Sequence, residues 1–202
     1  MTIRSATPVH TSLEGGFLVA APGKDGVAPR GVIYVCQHSP DGAMGFVLNK
    51  PRPEITFPQL LQQLQIVTED DVIGLPAQTA AIQVLDAGFV ETTRGFVLHT
   101  RDFDSEGQTQ AIDSNVAYTG SMDILHAMAR SAGPQRAVMA LGYAGWGPGA
   151  IETEIRSGDW LFCPADPDLV FESETDPGRK YSRALELIGI TDIRFLHKQG
   201  TA

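Results

Sequence analysis

The chain is punctuated too often to build long elements. Apolar runs such as Phe17 to Ala21, Val32 to Gln37 and Ala43 to Asn49 are each cut off by clusters of Gly, Pro and Asp, residues that favour turns. The 21 glycines and 13 prolines share no fixed spacing, so they mark the joints between many short elements and not a collagenous or low-complexity repeat. With 43% hydrophobic residues among 202, there is enough apolar material for one ordinary globular core. No internal repeat or linker-like stretch divides the chain, so the economical reading is a single domain over 15–202 behind a mobile lead-in over 1–14.

Local signals place the elements. Ser39-Pro40-Asp41-Gly42 fits a tight turn, because Pro presets φ and Gly accepts positive φ, and the runs on either side are expected to pair as antiparallel neighbours. Thr56-Phe57-Pro58-Gln59 has the form of a capping box, with Leu60, Leu61 and Leu64 following at helical spacing. Ser121 stands as the N-cap of a second helix that buries Ile124, Leu125 and Met128, and Pro148 to Arg156 reads as a third helix closed by Gly158. The last helix carries every signal: Asp176 at the N-cap, Pro177 at N1, a stripe of Tyr181, Ala184, Leu185 and Ile188, then Gly189. Further strands are expected at Ala81 to Leu85, Gly95 to Thr100, Asn115 to Thr119, Arg136 to Leu141, Trp160 to Cys163 and near Ile193 to Leu196. About eight strands and four short helices without strict alternation predict an α+β fold and not a doubly wound parallel sheet.

Charge excludes some functions. The 15 basic and 24 acidic residues leave a net charge of -9, and the basic residues form no cluster, so sequence-independent nucleic-acid binding is disfavoured. No apolar run approaches the roughly 20 residues of a membrane helix. No basic start followed by an apolar stretch is visible, and a cytoplasmic location is the expectation. Cys36 and Cys163 then read as reduced, buried small hydrophobes.

Four constellations invite a chemical reading. Asp102, Asp104, Glu106 and Asp113 approximate the spacing of a calcium loop, but the flanks read as strands, Thr109 stands at position eight and Asp at position twelve, so a solvated acidic hairpin loop is expected. Gly142-Tyr-Ala-Gly145-Trp-Gly147-Pro-Gly149 lies between a strand and a helix start, yet it matches no phosphate-binding fingerprint and reads as tight turns packing Tyr143 and Trp146. Cys36 and His38, two apart on one strand, can share a face as a thiol and its base, but nothing in the sequence lowers the thiol pKa. Ser121, Asp123 and His126 hold the atoms of a triad without its elbow, and His10, His99 and His197 show no metal-ligand spacing. No cofactor is called for.

Several segments taken together resemble the YqgE/AlgH family of bacterial proteins: Ala21-Pro22, Val32-Ile-Tyr-Val-Cys36-Gln-His38, Gly42-Ala-Met-Gly45-Phe-Val-Leu-Asn49-Lys50-Pro51, Arg94-Gly95-Phe-Val-Leu-His99, Ser121-Met-Asp123-Ile-Leu125, and Leu141 to Gly149 followed by Glu152. Trp160-Leu161, Pro164-Ala165-Asp166 and Gly200-Thr-Ala202 extend the likeness over almost the whole chain after about Leu13. The chain departs from the family pattern at Ala87-Gly88-Phe89, where a Gly-Gly-Pro turn is usual, and at Tyr181, where Trp is common. The resemblance implies a compact α+β fold with a coiled, partly branched and mostly antiparallel sheet flanked by helices. The regulator label attached to AlgH implies a phenotype and little chemistry.

The reading that survives is a non-enzymatic cytoplasmic regulator or adaptor. It is expected to bind an unknown protein or small ligand through a cleft near Asn49, Lys50, His99, Tyr143 and Trp146, the polar and aromatic members of the family-like segments. The alternatives are a hydrolase or thiol enzyme using Cys36 or Ser121 with a histidine, and direct transcriptional regulation by DNA binding, against which the charge argues.

Overall fold

The computed structural model describes residues 12–24, 26, 28–173 and 176–191. The opening sheet forms from the short apolar runs. Strand β1 (Gly16–Ala20) is buried along its length, and β2 (Val32–Ser39) and β3 (Gly42–Val47) pair antiparallel through the Pro40-Asp41 turn, with Ser39 opposite Gly42. A bulge at Cys36 interrupts the register, since Val35 faces Gly45 while Gln37 faces Met44.

Helix α1 (Phe57–Gln63) starts at the expected capping box: Thr56 Oγ1 accepts from the Gln59 N–H, and Gln59 Oε1 accepts from the Thr56 N–H at 2.8 Å. Two helices follow that the leucine pattern does not announce, α2 (Glu69–Ile73) and α3 (Ala77–Ala80). The first of them opens on a second box in which Asp71 replaces the usual Glu or Gln. Next come β4 (Val84–Asp86), β5 (Val90–Thr100), β6 (Thr109–Ala111) and β7 (Val116–Thr119). Helix α4 (Met122–Ala129) buries Ile124, Leu125 and Met128 as its stripe requires. Ser121 holds the N-cap position, but its side chain makes no cap bond, and its Oγ is buried without a hydrogen-bond partner among the described residues.

Two strands depart from expectation: β5 starts five residues before the predicted Gly95, and β8 (Ala137–Trp146) runs five residues past the predicted end at Leu141. Gly142 sits at φ 70°, and a Cβ there would stand 2.9 Å from the Val90 carbonyl oxygen, so glycine permits the close approach of β5. The reversal narrows to Gly147-Pro148-Gly149, ahead of α5 (Ala150–Arg156). Strand β9 (Trp160–Pro164), the unanticipated α6 (Pro167–Phe171) and α7 (Pro177–Leu187) complete the described fold, with the Asp176 side chain accepting from the Gly178 N–H at 2.8 Å. The strand expected near Ile193 to Leu196 lies outside the described residues. Of the seven helices among the described residues, the four anticipated are the four of seven residues or more.

The strands form one curled sheet in the order β6-β7-β5-β8-β3-β2-β1-β9, antiparallel along that path. Strand β4 lies off the path and parallel to β8, so the sheet is branched as well as coiled, and the α+β class holds. Alternation sends successive side chains to two cores. Phe96, Leu98, Val138 and Ala140 join Phe17, Tyr34 and the α7 residues Tyr181, Ala184 and Leu185 in the larger one. Val97, Met139 and Leu141 face the smaller one, closed by Phe57 and Leu61 of α1 and by Ile124, Leu125 and Met128 of α4. No helix among the described residues is long and apolar enough to cross a membrane.

Candidate functional site

An aromatic cleft lies where β8 hands over to α5 and β9. Trp146 ends β8, Trp160 begins β9, and α5 between them carries Glu154. Both indole N–H groups donate to the same carboxylate oxygen, Glu154 Oε2, each at 2.8 Å. One acidic side chain thus fixes both of the chain's tryptophans. Phe89, Val90 and Ile33 extend the wall, and the space enclosed is about 430 Å³, within the range of ligand pockets. Phe89 is 49% exposed and Val90 38% exposed, which leaves the apolar lip open to solvent. At the rim Lys24 pairs with Asp159 at 3.1 Å. Hydrogen bonds from Ser157 and Lys24 hold the Asp159 carboxyl below the ordinary range.

A second groove of about 720 Å³ adjoins the first, sharing Ala28 and Phe89 with it. Its polar lining comes from Arg30, Asn49, Lys50, Arg179 and Ser182, with Asp176 at the start of α7. Asn49 is a structural clamp here: its Oδ1 accepts from the Val32 N–H at 2.9 Å and its Nδ2 donates to the Arg30 carbonyl at 2.8 Å. Lys50 pairs with Asp86 at 3.0 Å and lies 5.7 Å from the centre of the Phe89 ring.

The five residues expected to share one cleft are therefore distributed. Asn49 and Lys50 line the polar groove and Trp146 the adjoining aromatic one. Tyr143, three residues before Trp146 on the same strand, faces the other side of β8, edge-on to Phe96 and beside Met44 and Tyr118. His99 is fully buried, one residue beyond Leu98 and so on the Val97 face, with Phe103 against its ring. Its Nε2 lies 2.9 Å from Thr119 Oγ1 and its Nδ1 is 2.7 Å from the Thr100 carbonyl oxygen. Burial holds its pKa below the usual imidazole value.

The other constellations are also separated by the fold. Cys36, at the bulge, is 1% exposed, and its Sγ donates to the Tyr34 carbonyl at 3.5 Å. Burial, reinforced by the charge of Glu14, pushes the thiol pKa well up. His38 turns instead to Glu152, with Nε2 3.0 Å from Oε1, while its Nδ1 accepts the Leu13 N–H at 3.2 Å. That pair of bonds fixes the Nε2-protonated tautomer. Asp123 and His126 are exposed on α4 and the Ser121 hydroxyl is turned inward. In the acidic loop, Asp102 accepts from the Thr100 hydroxyl and the Gln135 N–H, and Asp113 from the Tyr34 hydroxyl and the Asn115 and Val116 N–H groups. These carboxylates point into separate protein networks. His10 and His197 lie outside the described residues.

Sequence reasoning missed Trp160, Phe89, Arg30 and Glu154 as site residues. The available signal was the scarcity of tryptophan: there are two, flanking a single strand–helix–strand unit.

Comparison with known proteins agrees with this architecture. The profile of the family described as AlgH-like (DUF179) matches residues 17–192. A UPF0301 protein of Afipia carboxidovorans is 52% identical over 181 residues, covering 89% of this chain and 85% of that protein. One from Methylocella silvestris is 49% identical over 191 residues, covering 94% and 92%. The solution structure of the AlgH protein from Pseudomonas aeruginosa superposes with a TM-score of 0.73 at 32% identity, covering 99% of this chain and all of that one. A crystal structure of a protein from Corynebacterium diphtheriae, at 19% identity and a TM-score of 0.58 over 81% of each chain, shares the fold. By profile, by relatives identical at half their positions and by structure, the chain belongs to the AlgH-like UPF0301 family.

Proposed function

We propose that this protein is a non-enzymatic binding protein, a cytoplasmic regulator or adaptor whose cleft between Trp146 and Trp160 takes an apolar group of a small ligand or a protein partner. The observation that carries the reading is the pair of indole N–H groups converging on Glu154 Oε2 at the wall of an open, aromatic cavity. Aromatic rings held rigidly beside open space offer large contact area at little entropic cost on binding. The free, buried Cys36 and Cys163 are in keeping with a reducing compartment, and the net charge of -9 supports a partner other than nucleic acid. The thiol-enzyme alternative is weakened by the burial of Cys36 and the upward push on its pKa.

Because both tryptophans line the cleft, intrinsic fluorescence reports on it without a label. Titration with the uncharged probe N-phenyl-1-naphthylamine is expected to quench tryptophan emission saturably, with one probe bound per chain. Linear, non-saturating quenching would contradict the reading.

A further inference from the structure

The aromatic cleft and the polar groove beside it share Ala28 and Phe89 in their linings, and the groove displays one cation in an unusual way. Arg30 is a non-glycine residue held at φ 56°, a left-handed backbone conformation that side chains other than Gly, Asn and Asp rarely adopt. Strain of this kind persists only where surrounding structure enforces it. Here the enforcement is visible: Asn49 Nδ2 grips the Arg30 carbonyl at 2.8 Å, while Asn49 Oδ1 takes the Val32 N–H at 2.9 Å. The side chain is fixed at its other end as well. Its guanidinium carbon lies 5.4 Å from the centre of the Tyr181 ring, and Nη2 rests so close to Gly178 that an added Cβ would meet it at 3.1 Å. Among the described residues no carboxylate oxygen lies within 4.0 Å of the Arg30 guanidinium.

Lys50 and Arg179 line the same groove, as does Asp176, whose Oδ1 accepts from the Gly178 N–H, and Lys50 pairs with Asp86. Phe89 lines both the cavity that holds Trp146 and the groove that holds Arg30.

Resting on the reading of the Trp146 cleft given above, we propose that the two cavities form one site for an amphipathic anion. Its aromatic or aliphatic body lies between Trp146 and Phe89, and its terminal carboxylate, phosphate or sulfonate is received by Arg30. Asn49 is then a positioning residue, acting through the Arg30 backbone. The planar guanidinium offers paired donors that match an oxyanion, and stacking on Tyr181 leaves its in-plane N–H groups available to the groove.

Two probes with nearly the same apolar body separate this proposal from the general cleft reading: 1-anilinonaphthalene-8-sulfonate and uncharged N-phenyl-1-naphthylamine. The sulfonate is expected to bind on the order of tenfold more tightly, as a charge-assisted contact requires, with the advantage shrinking as salt is raised. Arg30→Gln should abolish the preference by bringing the affinity for the sulfonate down to that for the uncharged probe. Arg30→Gly, which removes the guanidinium and the strained backbone together, should do the same in a protein whose melting temperature and near-UV circular dichroism confirm folding. Equal affinity of the two probes for the wild-type protein, or a preference that survives both variants, would overturn the anion proposal while leaving the apolar cleft standing. Failure of both probes to bind would overturn the cleft reading and this proposal together.

Discussion

Trp146 and Trp160 donate their indole N–H groups to one and the same atom, Glu154 Oε2, each at 2.8 Å. The arrangement joins the end of β8 to the start of β9 through a side chain of α5, so the cleft wall and the local fold share one polar contact. Replacing Glu154 therefore tests both at once. Glu154→Leu strands two indole donors and should lower stability by about 2 to 3 kcal/mol. Glu154→Gln, whose amide oxygen still accepts, should cost about 1 kcal/mol. Urea denaturation followed by far-UV circular dichroism measures both, and equal costs for the two variants would show that the shared acceptor is unimportant.

His99 makes stability depend on pH. Its pKa is depressed in the folded protein, by burial first, although the Thr100 carbonyl and the charges of Asp102 and Asp104 oppose the shift. The unfolded chain therefore binds a proton more readily than the folded one. Stability from this source is fully present above the ordinary imidazole value of 6.5 and is lost as pH falls from there through the depressed folded value. The urea midpoint should fall between about pH 7 and pH 5, and His99→Gln should flatten that slope. An unchanged slope in the variant would assign the titration to another group.

The two thiols should be inert in the native state. Cys36 and Cys163 are each 1% exposed and both have pKa values pushed up by burial. Ellman's reagent is expected to label them only as fast as the protein opens, and Cys36→Ala should cost about 1 kcal/mol or somewhat more. Rapid stoichiometric labelling of the folded protein at neutral pH would revive the thiol-enzyme alternative.

The acidic loop should ignore calcium. Asp102 and Asp113 already accept hydrogen bonds from Thr100, Gln135, Tyr34, Asn115 and Val116, which face them into different parts of the fold. Calorimetry at millimolar calcium should show no saturable heat, and one site per chain would contradict this placement.

Much of the fold was legible because its signals are local. The Pro40-Asp41 turn, the Thr56 capping box and the Asp176-Pro177 helix start each specify a bond that the nearby backbone makes. The extension of β8 was not legible, since Gly142 reads as a chain breaker until the approach of Val90 shows why a strand needs it there. The site was half legible for the same reason. Trp146 and Asn49 stand out in the sequence, but only the alternation of faces along β5 and β8 reveals that His99 sinks into the smaller core and Tyr143 turns away from Trp146. The convergence of Trp146, Trp160 and Glu154 depends on tertiary packing that no spacing encodes.

The most direct measurement of the central claim compares N-phenyl-1-naphthylamine binding by the wild-type protein and Trp146→Ala, alongside their unfolding curves. A tryptophan that only fills a core costs about 3 to 5 kcal/mol when cut to alanine. The half-buried Trp146 of an open cleft should cost less, about 1 to 3 kcal/mol, while probe affinity falls at least about tenfold in a folded protein. Wild-type affinity in a folded Trp146→Ala variant would show that ligands bind elsewhere and would contradict the account.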